Sequence, residues 1–217
     1  SAEFRSYAMT VDAASQTAYG ATYENGNVMV RRVNLATGAV SLITDGTVLV
    51  GGQALDWVYD IAFDSAAGKL YLLTATNVQA VTISSGARQV LSAANQAVPL
   101  SGSAQLALDT RNNRILVAAE NVPSLIGVDL TSGAHTAVSD ASASGAPLTA
   151  PTGVAVDTDG SIWAIDDATR LVKIDRQTGA RTQISATSGS GTGMGSGALV
   201  APYWYNVSVD GNALLIH

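Results

Sequence analysis

Cysteine is absent from the 217-residue sequence, which excludes both a disulfide framework and a zinc site held by cysteine. No apolar run approaches the roughly 18 residues of a membrane-spanning helix. Basic residues number eleven against seventeen acidic ones, a net charge of -6, and no basic cluster offers a surface to nucleic-acid phosphates. We therefore expect neither a membrane span nor a nucleic-acid partner.

Histidine is almost as scarce, with His135 after a glycine turn and His217 as the last residue. A Ser-His-Asp arrangement therefore has almost no candidates. The acidic side chains Glu120, Asp166 and Asp167 follow second strands of the repeat described below, and we interpret them as solvated carboxylates that cap turns. We predict no catalytic residues and favour a protein that is not an enzyme.

The residues that are abundant point to a folded, exported protein. Hydrophobic residues make up 47% of the chain and charged ones only 13%, enough to bury a sizeable core. Few lysines with many Ala, Gly, Ser and Thr residues resemble the composition of exported bacterial proteins, so we expect a bacterial protein of the periplasm or the cell exterior.

A glycine motif repeats four times at intervals of 46 to 48 residues. In each copy an apolar strand ends in a polar residue, Thr or Ser precedes the glycine, and an alternating strand resumes. A tight hairpin turn needs a positive φ, which glycine adopts at little cost. The copies therefore predict hairpins, and they lie at residues 33–39, 81–87, 128–134 and 174–180.

A second motif, apolar-small-apolar-Asp, occurs five times and precedes each glycine motif by about 25 residues. It predicts a buried strand whose closing aspartate accepts hydrogen bonds from the backbone amides of the next turn. The aspartates are Asp12, Asp64, Asp109, Asp157 and Asp210.

Units of about 48 residues with four short strands each are typical of β-propeller blades. The predicted fold is an all-β propeller of about 4.5 four-stranded antiparallel blades, either five-bladed or a fragment of a larger propeller. We expect a single domain, 1–217, with blades at about 5–47, 48–97, 98–145 and 146–197 and a partial blade at 198–217. The Gly-rich stretch 188–197 is interpreted as an inter-blade connection.

Residues 151–166, PTGVAVDTDGSIWAID, resemble the blade consensus of NHL-repeat and SMP-30/gluconolactonase-like propellers. Such propellers serve as hydrolases, lyases and binding platforms, so the resemblance implies a fold more than a function. The SMP-30-like enzymes hold a divalent cation in the central channel. The resemblance implies that Asp60 and Asn206, with Gln105, form part of such a set, for which Ca²⁺ is the fitting ion.

Aligning the five Asp-terminated strands brings candidate site residues to the mouth of the channel. Four residues before each aspartate stand Ala8, Asp60, Gln105, Gly153 and Asn206, and the residues just before these are Tyr7, Tyr59, Ala104, Thr152 and Tyr205. Aromatic rings with polar tips suit sugars, peptides and protein interfaces. The predicted ligand-binding residues are Trp57, Tyr59, Asp60, Gln105, Tyr203, Trp204, Tyr205 and Asn206, while Trp163 is expected in the core.

Three functions fit these observations. We favour a recognition or scaffold propeller that binds a small molecule, a glycan or a protein at the channel mouth and needs no cofactor. The alternatives are an SMP-30-like metal-dependent hydrolase or lactonase with a cation on Asp60 and Asn206, and a structural domain of a longer adhesin or assembly.

Overall fold

The computed structural model describes residues 6–48, 54–92, 98–100, 102–167, 169–186, 207–210 and 213–216. The chain forms two compact units, Ser1–Ala94 and Asn95–His217. Every sheet is an antiparallel meander in which strands adjacent in sequence are hydrogen-bonded neighbours.

The first unit contains two four-stranded sheets. The first sheet consists of β1 (Ser6–Asp12), β2 (Thr17–Glu24), β3 (Asn27–Asn34) and β4 (Val40–Asp45), and the second of β5 (Val58–Asp64), β6 (Lys69–Thr74), β7 (Val78–Thr82) and β8 (Arg88–Ser92). Their facing side chains share one core that includes Val30, Leu70 and Leu72.

The second unit repeats this arrangement and adds a strand pair. Its strands are β9 (Ser103–Asp109), β10 (Arg114–Ala119), β11 (Ser124–Asp129), β12 (His135–Ser139), β13 (Pro151–Val156), β14 (Ile162–Asp166), β15 (Arg170–Ile174) and β16 (Arg181–Ala186), followed by β17 (Val207–Asp210) and β18 (Ala213–Ile216). Leu116, Ile162 and Ile174 lie in the core between its four-stranded sheets. Four-stranded meanders with apolar faces are the sheets predicted from the repeat.

The glycine hairpins adopt one geometry in all four sheets. Gly38, Gly86, Gly133 and Gly179 have φ between 69° and 71°, which confirms the predicted positive φ. Gly86 also approaches the neighbouring sheet, because a Cβ there would lie 2.1 Å from the carbonyl oxygen of Ile43. Only glycine fits at that contact.

Polar side chains cap these turns. Asp175 Oδ1 accepts hydrogen bonds from the amides of Gln177 (3.0 Å) and Thr178 (2.8 Å), and Asn34 does the same in the first sheet. In the second motif, Asp12 Oδ1 accepts from the amide of Ala14 at 3.1 Å and Asp64 Oδ1 from that of Ala67 at 3.0 Å, as predicted. Asp109 differs: its side chain does not cap the following turn and pairs instead with Arg114 at 2.9 Å.

A β-bulge interrupts the start of every first strand in the four-stranded sheets. The register skips one residue there, and the skipped residues are Tyr7, Tyr59, Ala104 and Thr152. These are the residues that the sequence alignment places immediately before the candidate site positions. Because a bulge bends the strand and increases its local twist, these four sheets depart from regular pairing at the same point of their first strands.

In the second, third and fourth sheets, the residue two positions after the hairpin glycine holds the segment that leads into its own sheet. Arg181 donates to Ser139 Oγ (3.0 Å) and to the carbonyls of Asp140 (2.6 Å) and Ala143 (2.5 Å). Arg88 donates to the carbonyl of Val48, and His135 Nδ1 lies 2.6 Å from the carbonyl oxygen of Val98. His135 is the first residue of β12, an edge strand of its sheet.

Two expectations about individual side chains need correction. Asp166 is not solvated: it is fully buried, accepts from the amides of Thr149 (2.8 Å) and Ala150 (2.9 Å) and pairs with Arg170. A buried carboxylate needs such partners, so it pins the connection between two sheets. Trp163 is half-buried rather than in the core, with Lys173 Nζ 5.2 Å from its ring centroid.

Candidate ligand-binding groove

Three aromatic side chains of the first unit form an exposed cluster. The ring centroids of Tyr7 and Trp57 are 4.5 Å apart, and those of Tyr23 and Trp57 are 5.8 Å apart. Tyr7 is 62% exposed, Tyr23 50% and Trp57 38%. Tilted rings at these distances attract each other, so the cluster is held in place while much of its surface stays in water.

Each ring comes from a different element at the same end of the sheets. Tyr7 is the bulged residue of β1, Tyr23 lies near the end of β2, opposite Val28 of β3, and Trp57 directly precedes β5. The tight turn between β2 and β3 has positive φ at Asn25 (52°) and Gly26 (84°), a combination typical of a type I′ hairpin. This rigid turn fixes the position of Tyr23.

A groove of about 470 Å³ runs beside the cluster, within the usual size range of small-ligand sites. We call it the aromatic groove. Its described lining residues are Tyr23, Gly26, Asn27, Val28, Gly46, Ala54, Leu55, Asp56, Trp57, Thr76 and Asn77. Gly46 is required by close packing, since a Cβ there would lie 2.3 Å from the carbonyl oxygen of Val28.

Polar groups form part of the edge of the groove. Asn77 is held by Thr74, whose Oγ1 accepts from the Asn77 amide and donates to the Asn77 carbonyl, both at 3.1 Å. Asn27 Nδ2 donates to the carbonyl of Asn25 at 3.2 Å, and Asp56 Oδ1 accepts from the amide of Trp57 at 2.7 Å. The edge therefore combines amide, hydroxyl and carboxylate groups on braced backbone.

Part of the predicted site lies in this region. Trp57 lines the groove, while Tyr59 is exposed on β5 outside its lining. Asp60 is half-buried, and its Oδ1 accepts from the adjacent Ile61 amide at 2.8 Å. The structure thus brings Trp57, Tyr59 and Asp60 to one strand start.

The other predicted residues lie elsewhere. Gln105 belongs to the second unit, is buried, and its Oε1 accepts from the amide of Val154 at 2.9 Å, which ties β9 to β13. Tyr203, Trp204, Tyr205 and Asn206 fall outside the described residues, as does the Gly-rich stretch 188–197. Their role in binding stays a prediction.

The predicted cation site is only half within the described residues, since Asp60 is described and Asn206 is not. In the described part of the chain, no three His, Asp or Glu side chains are grouped as a metal site would require. Among the same residues, no helix is long and apolar enough to cross a membrane.

Tyr7 and Tyr23 were not among the predicted ligand-binding residues. Alignment of the first strands placed Tyr7 beside the site but assigned it no role. Tyr23 belongs to a second strand, so that alignment did not include it. The signal for it was local: Tyr23 stands two residues before Asn25-Gly26, and Asn-Gly flanked by strand residues is a strong hairpin signal.

Comparisons with known proteins show the fold. A protein of unknown function from Bacteroides thetaiotaomicron superimposes with a TM-score of 0.72 at 16% identity, over 98% of this chain and 56% of its own. A crystal structure of a nidogen/laminin complex gives a TM-score of 0.70 at 13% identity, over 97% of this chain and 71% of the matched one.

The chain thus spans little more than half of the Bacteroides protein. It matches no protein-family model and no curated protein sequence. The NHL-repeat or SMP-30-like subtype therefore stays a prediction. Both structural neighbours are β-propellers, and with its four four-stranded sheets the chain is a β-propeller of about four blades.

Proposed function

We propose that this chain is a non-enzymatic recognition propeller that binds its ligand in the aromatic groove. The observation that carries the proposal is the cluster of Tyr7, Tyr23 and Trp57, whose rings contact each other and remain substantially exposed beside a groove. Large exposed apolar patches rimmed by polar groups commonly mark interaction sites. Rings held in place before binding also lose little conformational entropy when a ligand arrives.

The comparison proteins support a binding or scaffold role without identifying a ligand. One of the two was solved in a nidogen/laminin complex, so a propeller of similar fold occurs in a protein assembly. The proposed groove shares Trp57 with the site predicted from the sequence and adds residues of neighbouring turns.

The proposal is tested with a ligand-observed NMR screen of neutral oligosaccharides, short peptides and small metabolites. Compounds that bind the parent protein are then titrated against Trp57→Ala, Tyr23→Ala and Tyr59→Ala. We expect the first two variants to weaken binding strongly, because both rings line the groove, and Tyr59→Ala to bind normally. Unchanged affinity in folded Trp57→Ala and Tyr23→Ala would refute binding in the aromatic groove. Loss of binding in Tyr59→Ala alone would instead favour a site at the start of β5, around Tyr59 and Asp60.

The predicted cation is tested separately by calorimetric titration of EDTA-stripped protein with Ca²⁺, comparing the parent with Asp60→Ala. Saturable binding that the substitution abolishes would establish a metal on Asp60. Assays of lactone and ester hydrolysis would then decide between recognition and metal-assisted chemistry.

A further inference from the structure

The charge of the aromatic groove restricts its ligand. Among the described lining residues, Asp56 is the one acid and none is Lys or Arg. Close by, Glu24 at the end of β2 is paired with Arg31 at 2.7 Å, which leaves Arg31 committed. Phosphate, sulfate and carboxylate groups are recognised by arginine, lysine or clustered amides. The groove therefore suits a ligand without negative charge.

The exposed apolar surface of the groove consists of its two rings and the small side chain of Ala54. Val28 and Leu55 also line the groove but are only 4% and 5% exposed, so neither offers a deep apolar pocket. Protein partners usually anchor a buried side chain in such a pocket. The available apolar contact is instead the set of ring surfaces of Trp57 and Tyr23.

The groove also lies across strand ends rather than along a strand edge. It is bounded by the β2–β3 turn, the segment before β5, and the β6–β7 turn, which supply Asn27, Asp56 and Asn77 respectively. Extended peptides gain affinity by adding a strand to an exposed sheet edge. A ligand in this groove would not pair with a strand edge, so its hydrogen-bonding groups must lie around its own periphery.

A sugar ring has that chemistry, since its C–H face is apolar and its hydroxyl groups point outward. Stacked on Trp57 or Tyr23, it would present hydroxyls to Asn27 and Thr76, whose side chains both donate and accept, and to the accepting carboxylate of Asp56. We infer that the ligand of the aromatic groove is a neutral carbohydrate chain. This inference rests on the proposed function and specifies its ligand class.

The test uses four neutral hexasaccharide probes: cellohexaose, chitohexaose, xylohexaose and mannohexaose. A sulfated heparin hexasaccharide and a random heptapeptide library serve as comparators. Binding is measured by saturation-transfer NMR and isothermal titration. We expect at least one neutral hexasaccharide to bind saturably, with an affinity insensitive to ionic strength because no ion pair is formed. The heparin fragment should not compete.

The variants connect binding to the groove. Trp57→Ala should weaken the hexasaccharide about 30-fold or more, as loss of a central aromatic contact does. Tyr23→Ala should bind much more weakly than Tyr23→Phe, because the ring face is the contact. Circular dichroism checks that each variant is folded.

The outcomes separate this inference from the proposed function. Peptides that bind in a Trp57-dependent way while every hexasaccharide fails would overturn the carbohydrate class and keep the groove. Heparin binding that Trp57→Ala abolishes would overturn the neutral character. If no compound in any class depends on Trp57 or Tyr23 in folded variants, the groove itself fails, and both proposals fail with it.

Discussion

Removal of the Arg181 side chain should markedly destabilise the second unit. Arg181 is only 7% exposed, and its guanidinium holds the connection between the third and fourth sheets. It donates to Ser139 Oγ and to the carbonyl oxygens of Asp140 and Ala143 at 3.0, 2.6 and 2.5 Å. Arg181→Ala would leave three buried or half-buried acceptors without this donor.

The magnitude follows from the cost of unmade hydrogen bonds. A hydrogen bond to a charged group contributes about 1.5–3 kcal/mol, and an acceptor left unsatisfied costs about 1–3 kcal/mol. The three bonds share one side chain, and water can enter part of the vacated space, so their contributions do not add fully. We expect Arg181→Ala to lower the free energy of unfolding by about 2–4 kcal/mol, with Tm lower by about 5–15 °C.

The assay is chemical denaturation followed by circular dichroism, together with calorimetry, on the parent protein and three variants. Arg181→Lys keeps the charge but loses the planar set of donors, so it should recover less than half of the loss. Arg176→Ala removes an exposed arginine in the turn just before β16 and should change stability by less than about 0.5 kcal/mol. If Arg181→Ala is no more destabilising than Arg176→Ala, the guanidinium does not hold the connection.

Two further predictions concern the repeated turns. Gly86→Ala should destabilise the first unit by about 2–5 kcal/mol, because both the positive φ and the carbonyl oxygen 2.1 Å from the new Cβ oppose it. Gly38→Ala has a nearly identical φ but open space around the new Cβ, so it should cost about 1–2 kcal/mol. Equal losses in urea denaturation would contradict the role of the close contact. The Thr178 amide holds the pKa of Asp175 below its ordinary value of 3.8, so this carboxylate contributes stability that is present above pH 3.8 and lost as the pH falls through the lower folded pKa. Asp175→Asn, which installs the residue that Asn34 provides in the first sheet, should therefore leave Tm unchanged at neutral pH and reduce its fall towards about pH 2; an identical acid profile would contradict this.

The blades were predictable because local rules produced them. A glycine that needs positive φ and an aspartate that caps a turn recur with the period of the sheet, so the sequence pattern indicates both the strands and their connections. The contacts by which Arg88, His135 and Arg181 hold the segment before their own sheet were not predictable in the same way. The three residues differ in type, and the partners they hold lie about 40 residues earlier in the chain. Their shared role emerges only when neighbouring sheets pack.

The candidate site was predictable only in part for a related reason. Alignment of first strands compares equivalent positions, and it identified Trp57 and Asp60 from their surroundings. The groove instead combines positions that are not equivalent: a residue before β5, the end of β2, and the turn between β6 and β7. Tyr23 and Asn77 therefore had no counterpart that could mark them as members of one site.

The bulged residue separates a feature of the repeated backbone from a feature of the candidate site. All four sheets carry the bulge at the start of the first strand, but the residue there is Tyr7, Tyr59, Ala104 or Thr152. The bulge is therefore a feature of the repeat. Of the four bulged residues, Tyr7 of the first sheet is the one whose ring contacts Trp57. Alanine and threonine occupy the bulge in the third and fourth sheets, so Tyr7→Ala or Tyr7→Thr should preserve the bulge and remove that contact. Tyr7→Ala should therefore weaken groove binding while Tm stays near that of the parent, and a large loss of stability without a change in affinity would assign the ring to folding instead.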